Sequence, residues 1–303
     1  MEYIDKTQGA LQAHSLLSAF LSRCQNGGFS PNDDLYSKMA SDRDPSVPNA
    51  DTTYNILRRQ LLQENNYRCC YCMRNIEDVN TTLEHIIPNR ISNQVRYDEY
   101  QKFYSRADWQ KMIFSKSFLA NPRWPFRSFP HTIAYENLIP SCNGKFAKNI
   151  SGDIHAHDNR VSKCCNNKRG EEFVIPFVLN QQMVNEFEYK RNGYVIWPVV
   201  DTTIRGEARK KLLFEHKRTI DILNLNCLEL VTIRRIWFFL ATTQSDCATV
   251  DKDRVILDLT DNENLTSEEI TMLQNFWYDN YWCLLEEYRY FNDINKFKYF
   301  IYY

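Results

Sequence analysis

Near the N-terminus Leu11, Leu16, Leu17, Phe20 and Leu21 recur near helical spacing and predict an amphipathic helix over residues 8–23. Residues 27–51 lose that period, are rich in Gly, Pro, Asn, Asp and Ser, and read as a loop. From Thr52 to Asn66 the period returns, with Ile56, Leu57, Leu61 and Leu62 on one face of a second helix. A tight turn follows at Cys69–Cys72. Thr82 to Ile87 predicts a short strand, stopped by Pro88, which has no N–H for a ladder. Residues 89–130 form an aromatic, basic and largely helical insertion, and residues 143–163 a second, irregular one. Asn166 opens a helix that Pro176 limits.

The clearest hairpin signal lies farther on. Phe187–Arg191 and Tyr194–Trp197 flank Asn192-Gly193, a dipeptide that favours a type I′ turn because both positions take positive φ. Beyond it, residues 206–225, 227–243 and 265–291 predict helices. The expected class is therefore α+β, in three regions. These are an N-terminal helical and loop segment (1–51), a core with its two insertions (52–180), and a hairpin followed by a mainly helical region (181–303).

Composition narrows the picture. With 303 residues the chain can bury a substantial core, and 8 glycines and 10 prolines argue against long disordered linkers. The net charge of −1 conceals an uneven distribution. Arg90 to Arg169 carries fourteen Lys/Arg against six Asp/Glu, whereas Asp251 to the end carries five against eleven. A basic middle suits a polyanion such as nucleic acid. The first residues lack a basic start and an apolar stretch, and Ile236–Ala241 is too short to span a bilayer, so no membrane association and a cytoplasmic location are expected. Ten cysteines in a reducing compartment point to metal rather than to disulfides.

Cys69 and Cys72 form a C-x-x-C, the spacing that brings two thiolates to one tetrahedral Zn²⁺ from a tight turn. Cys142 and Cys165 are the favoured second pair, although 22 residues separate them. Loop closure makes such an interval thermodynamically acceptable. Cys70, Cys164, His155 and His157 are rival ligands. Cys24, Cys227, Cys247 and Cys283 have no partner at metal spacing and read as core thiols.

Between the cysteines lie groups suited to phosphodiester hydrolysis. That reaction needs an activated water and a sink for negative charge on phosphorus and on the leaving oxygen. A neutral imidazole accepts a proton near pH 7, and His85 is the candidate general base. Glu84 and Asn166 offer oxygen ligands to a hard Mg²⁺ or Mn²⁺ ion. Asn137 is expected to tie the intervening loop to the strand and so fix the imidazole. Lys168 and Arg169 are candidate phosphate contacts. The aromatic insertion (Tyr97, Tyr100, Phe103, Tyr104, Trp109, Trp124, Phe126) could stack unpaired bases.

The succession Cys69-Cys70-Tyr71-Cys72, Glu84-His85-Ile86-Ile87-Pro88, Tyr135-Glu136-Asn137-Leu138, Ser141-Cys142 and Cys165-Asn166 to Gly170 resembles the HNH endonucleases. It is most similar to the PtuB-like branch of Septu and retron-associated anti-phage systems. Phe187-Glu188-Tyr189, Gly193 and Thr219 to Asn226 extend the likeness over residues 52–240. The resemblance implies a zinc-stapled ββα-metal core, endonuclease activity on DNA or on RNA such as tRNA, and a PtuA-like ABC/AAA ATPase partner. The chain itself contains no G-x-x-x-x-G-K-[ST]. A zinc-ribbon module that binds nucleic acid without cutting it is the competing expectation.

Overall fold

The computed structural model describes residues 3–28, 34–121, 128–144, 163–185, 187–190, 192–196, 205–242, 251–261, 265–271 and 273–278. It is of mixed helix and small-sheet class. Among the described residues no helix is long and apolar enough to cross a membrane. The chain divides into two compact units. One comprises Met1–Asn143 with Gly170–Val184, and the other Gly144–Arg169 with Asn185–Tyr303.

The first unit is built around two helices and a two-stranded ribbon. Helix α1 (Ala10–Asn26) buries Ala13, Leu17, Phe20 and Leu21. Helix α2 (Leu35–Met39) lies within the stretch expected to be loop. Its cause is local: the Asp34 side chain accepts from the N–H groups of Tyr36 at 3.0 Å and Ser37 at 3.3 Å. Helix α3 (Thr53–Glu64) starts where Thr52 caps it by accepting from Asn55 N–H at 3.2 Å, and it buries Leu57, Leu61 and Leu62. Asn66 and Tyr67, both at positive φ, end it and turn the chain toward the cysteines.

Strand β1 (Thr81–His85) pairs antiparallel with the strand Leu138–Cys142, in register from Thr81 opposite Cys142 to His85 opposite Leu138. Every residue of that partner strand is buried. The intervening chain holds helices α4 (Gln94–Asp98), α5 (Arg106–Trp109) and α6 (Ser115–Ala120). It also holds a small parallel pair that the periodicity did not predict, β2 (Met112–Ile113) beside β3 (Phe129–Pro130). Leu138–Cys142 is therefore β4.

The aromatic residues of this insertion largely pack on one another. Tyr97 is 3% exposed, with Trp109 and Phe114 ring centroids 4.6 and 5.4 Å away, and Tyr100 is buried against Phe173 at 5.0 Å. These two tyrosines are buried rather than standing free on the surface as a stacking platform. Trp124 and Phe126 lie outside the described residues, as do residues 145–162 with His155 and His157.

A buried polar network fastens the N-terminal segment to the ribbon. The Lys6 ammonium donates to the Leu138 carbonyl and sits 4.4 Å from the Tyr135 ring centre. Glu136, 1% exposed, meets His14 at 2.7 Å and Lys111 at 3.5 Å, while the Tyr135 hydroxyl donates to Glu64 at 2.6 Å.

The second unit contains helix α7 (Cys165–Arg169), the end of α8 (Gln181–Asn185), and a hairpin of β5 (Glu188–Tyr189) and β6 (Val195–Ile196). It continues through α9 (Gly206–Ile222), α10 (Leu228–Thr242) and α11 (Lys252–Asp261). Helix α11, not expected from sequence, buries Val255, Ile256 and Leu259. Residues 267–271 and 273–278 are helical. The remainder of the expected last helix lies outside the described residues.

The hairpin turn is not type I′. Gly193 N–H donates to Lys190 O at 2.8 Å, and only Gly193 of the Asn192-Gly193 pair takes positive φ, at 84°. Three residues thus link Lys190 to Tyr194, the arrangement of a bulged hairpin closed by a left-handed glycine. A Cβ on Gly193 would stand 2.2 Å from the Val231 carbonyl oxygen.

Two stability predictions follow from these contacts. Gly193→Ala combines a positive φ with that clash, and urea denaturation should show a loss of about 2 kcal/mol or more. Burial holds the Lys6 ammonium down to about pKa 8, against opposing pulls from Glu64 and Glu136. Between pH 8 and the unfolded value of 10.5 the unfolded chain binds more protons at Lys6, so this residue's contribution to stability rises with pH there. Urea midpoints at pH 7.5 and 9.5 should show wild type gaining relative to Lys6→Met.

Candidate metal centre and active site

The chain from Arg68 to Asn75 folds into a knuckle. Cys69 N–H donates to Arg74 O at 2.9 Å, Met73 N–H donates to Cys69 O at 3.0 Å, and Met73 takes φ of 66°. This places Cys69 and Cys72 on one concave side, against β4. Cys70 N–H donates to Pro140 O at 3.1 Å, and the Cys72 and Cys142 sulfurs are 3.9 Å apart.

Cys165 begins α7 at φ 54°, with its N–H bound to Leu223 O at 2.9 Å. The four sulfurs of Cys69, Cys72, Cys142 and Cys165 all lie within 4.8 Å of one another and all four residues are buried. A tetrahedral ion with metal–sulfur bonds of about 2.3 Å separates its sulfurs by roughly 3.8 Å. The cluster therefore fits a four-coordinate, thiophilic metal ion after a small contraction. This is the ligand set expected from sequence.

Two of the rival ligands, Cys70 and Cys164, fall away on placement, while His155 and His157 lie outside the described residues. Cys70 is buried outside the cluster, and burial pushes its thiol pKa up. Cys164 interacts instead with Cys227.

A divalent ion held by four thiolates carries a net charge of −2. Buried guanidinium groups occupy the same stretches of sequence as the ligands: Arg68 is 0% exposed, Arg74 5% and Arg169 2%. Arg68 donates to Met73 O at 2.7 Å, inside the knuckle. Buried cations beside an anionic centre are less costly than buried cations alone. Arg169 was expected to contact phosphate, and its burial corrects that expectation. Lys168 is exposed.

His85 stands at the end of β1, half-buried. Its Nε2 is 2.8 Å from the Thr132 carbonyl oxygen. A carbonyl only accepts, so Nε2 carries a proton, and in the neutral ring the lone pair then sits on Nδ1. The ring of Tyr36, from α2, meets the imidazole edge-on at 4.6 Å, and the Tyr36 hydroxyl donates to Leu83 O at 3.1 Å. Burial, reinforced by Tyr54 and Glu84, keeps that hydroxyl protonated. Glu84 is 5% exposed and, by strand alternation, faces away from His85.

Asn137 is 0% exposed and bonds to four groups. Its Oδ1 accepts from Ile87 N–H at 2.7 Å and from the Tyr104 hydroxyl at 3.3 Å. Its Nδ2 donates to Ile87 O at 3.0 Å and His131 O at 2.7 Å. Ile86 N–H also donates to Asn137 O at 2.9 Å. Pairing with Asn137 takes over from the ladder here, so β1 ends at His85, three residues before the proline expected to stop it.

His131, missed from sequence, is 1% exposed and accepts from Ser115 N–H at 3.1 Å. Burial, followed by the proximity of His85, pushes its pKa down to about 4, so it is neutral. Thr132 and Tyr36 were missed too, and Tyr104, expected to stack bases, bonds to Asn137 instead. The Asp34 cap was the one available sequence signal, and it points to Tyr36. Asn166 follows the ligand Cys165 on α7 and is half-buried.

Comparison with protein families, with curated proteins and with solved structures finds no match to this chain.

Elemental analysis should find one thiophilic divalent ion per chain. Cys72→Ser or Cys142→Ser should lose that ion, whereas Cys70→Ser should retain it.

Proposed function

We propose that the chain is a metal-dependent endonuclease of the HNH type, with zinc at the four cysteines and a separate hydrolytic site at the end of β1. The observation that carries this reading is the tautomer imposed on His85: with Nε2–H held by Thr132 O at 2.8 Å, Nδ1 is the basic nitrogen. An exposed structural histidine needs no such constraint. A general base does, because its proton-accepting atom must be fixed in identity and direction.

In this reading His85 Nδ1 takes a proton from water as the water attacks a phosphodiester. The Asn137 bonds keep the strand end and the Thr132 loop in fixed relation, so the imidazole cannot rotate away. A Mg²⁺ or Mn²⁺ ion at this end of β1 would stabilise charge on the phosphorane and leaving oxygen; Glu84, which faces away from His85, is not placed to hold it beside the imidazole. Lys168 meets the phosphate backbone as a point charge.

The resemblance to PtuB-like proteins supports a role as the effector of an anti-phage system working with an ABC/AAA-type ATPase. DNA and RNA, tRNA included, remain alternative substrates within it. The alternative class, a zinc-ribbon module that only binds nucleic acid, has no use for the His85 tautomer.

Plasmid DNA and tRNA should be cut in Mg²⁺ or Mn²⁺ with the ATPase present. His85→Ala should lower the rate by about 10²- to 10⁴-fold with unchanged zinc content. Cleavage that survives this substitution, or a wild type that never cuts, would sink the reading.

A further inference from the structure

Beyond the end of β1 the chain folds over a cavity of about 120 Å³ in the first unit. Its wall begins at Pro88, three residues after His85, and three residues span at most about 10 Å. A group held here therefore belongs to the nucleotide at His85 or to one beside it.

Tyr100 and Phe173, with Pro88 and Ile91, line its apolar part, and Arg90, Arg96, Glu99 and Glu171, with Ser92, its polar part. The two signs are balanced. A bare phosphate would be drawn to the arginines and repelled by the carboxylates, so the lining does not suit a simple anion. It suits an uncharged planar group with donors and acceptors on one rim.

Arg90 and Glu171 stand side by side, 4.0 Å apart, and their side chains are 85% and 63% exposed. That separation exceeds a hydrogen bond, so each retains capacity for another partner. Guanine fits this pair. Its N7 and O6 accept from a guanidinium fork, and its N1–H and N2–H₂ donate to a carboxylate. O6 lies between N7 and N1 on the rim, so adjacent arginine and glutamate side chains meet both halves of it. No other base offers two such bidentate edges. In a duplex the N1/N2 edge is already paired, so only an unpaired base fits.

We propose that this cavity binds an unpaired guanine next to the phosphate cut at His85, with Arg90 on its O6/N7 edge and Glu171 on its N1/N2 edge. The assignment rests on the nuclease reading for its relation to the cut, but the binding itself does not.

The test uses the full chain carrying His85→Ala and fluorescein-labelled single strands d(AAXAA), with X guanine, adenine, hypoxanthine or 7-deazaguanine. Fluorescence anisotropy should show guanine bound about tenfold more tightly than adenine. Hypoxanthine, lacking the N2 amine, and 7-deazaguanine, lacking N7, should each lose most of that advantage. Adding Arg90→Ala should erase the sensitivity to N7 alone, and adding Glu171→Gln the sensitivity to the amine alone. Equal affinity for all four strands, no binding, or variants that keep both preferences overturn the proposal. Cleavage of the same strands in Mn²⁺, with the ATPase present, by the chain with His85 intact separates the two ideas. Guanine-selective binding without cutting retains the cavity's role and removes the nuclease, and cutting without base preference does the reverse.

Discussion

The side chain of Asn137 is the constraint on which the geometry at the end of β1 depends. A buried amide has two donors and an acceptor oxygen, and each unmet one costs about 1–3 kcal/mol. Here all are met, by Ile87, His131 and Tyr104. The bonds to Ile87 fix where β1 leaves its ladder, and the bond to His131 fixes the backbone one residue before Thr132, whose carbonyl sets the tautomer of His85. Backbone entry, loop position and the contact made by His85 Nε2 are therefore linked through one side chain.

The cysteine cluster obeys a different logic. Its geometry is local at Cys69–Cys72, where a knuckle of eight residues closes on itself. Its energetics are not local, because four thiolates around a divalent ion leave excess negative charge in a region without water. Arg68, Arg74 and Arg169 are buried along the same segments. A guanidinium buried on those segments makes sense as compensation for sulfur, and it is then withdrawn from the protein's surface.

Much of this was legible in the sequence, and the failures have physical reasons. The ligand set was readable across nearly a hundred residues because thiolates of that spacing have few other uses in a reducing environment. Helix α3 was readable because Thr52 and the apolar period agreed. Helix α2 was hidden by the loop-like composition around it, and only the Asp34 cap betrays it. The Asn192-Gly193 turn followed the bulged alternative, with its glycine seated against the Val231 carbonyl. The roles of Tyr97, Tyr100 and Arg169 were misjudged because composition records that a residue is aromatic or basic, not which way it faces. Thr132 was invisible because it acts through a carbonyl, which every residue possesses.

The N–H of Cys165 is held by the carbonyl of Leu223, the residue at which α9 terminates. Nearby, the Asn224 amide donates to Lys163 O at 2.9 Å, and the Asn226 side chain clasps both backbone groups of Val195 at 2.8 Å. During synthesis the last sulfur ligand emerges from the ribosome some sixty residues before the carbonyl that orients it. A nascent or truncated chain ending before Leu223 would carry every thiol of the cluster yet hold the fourth one loosely. The cluster's fourth sulfur thus depends for its orientation on a helix end that follows it by some sixty residues, and ligand count alone does not define the smallest fragment able to form the cluster.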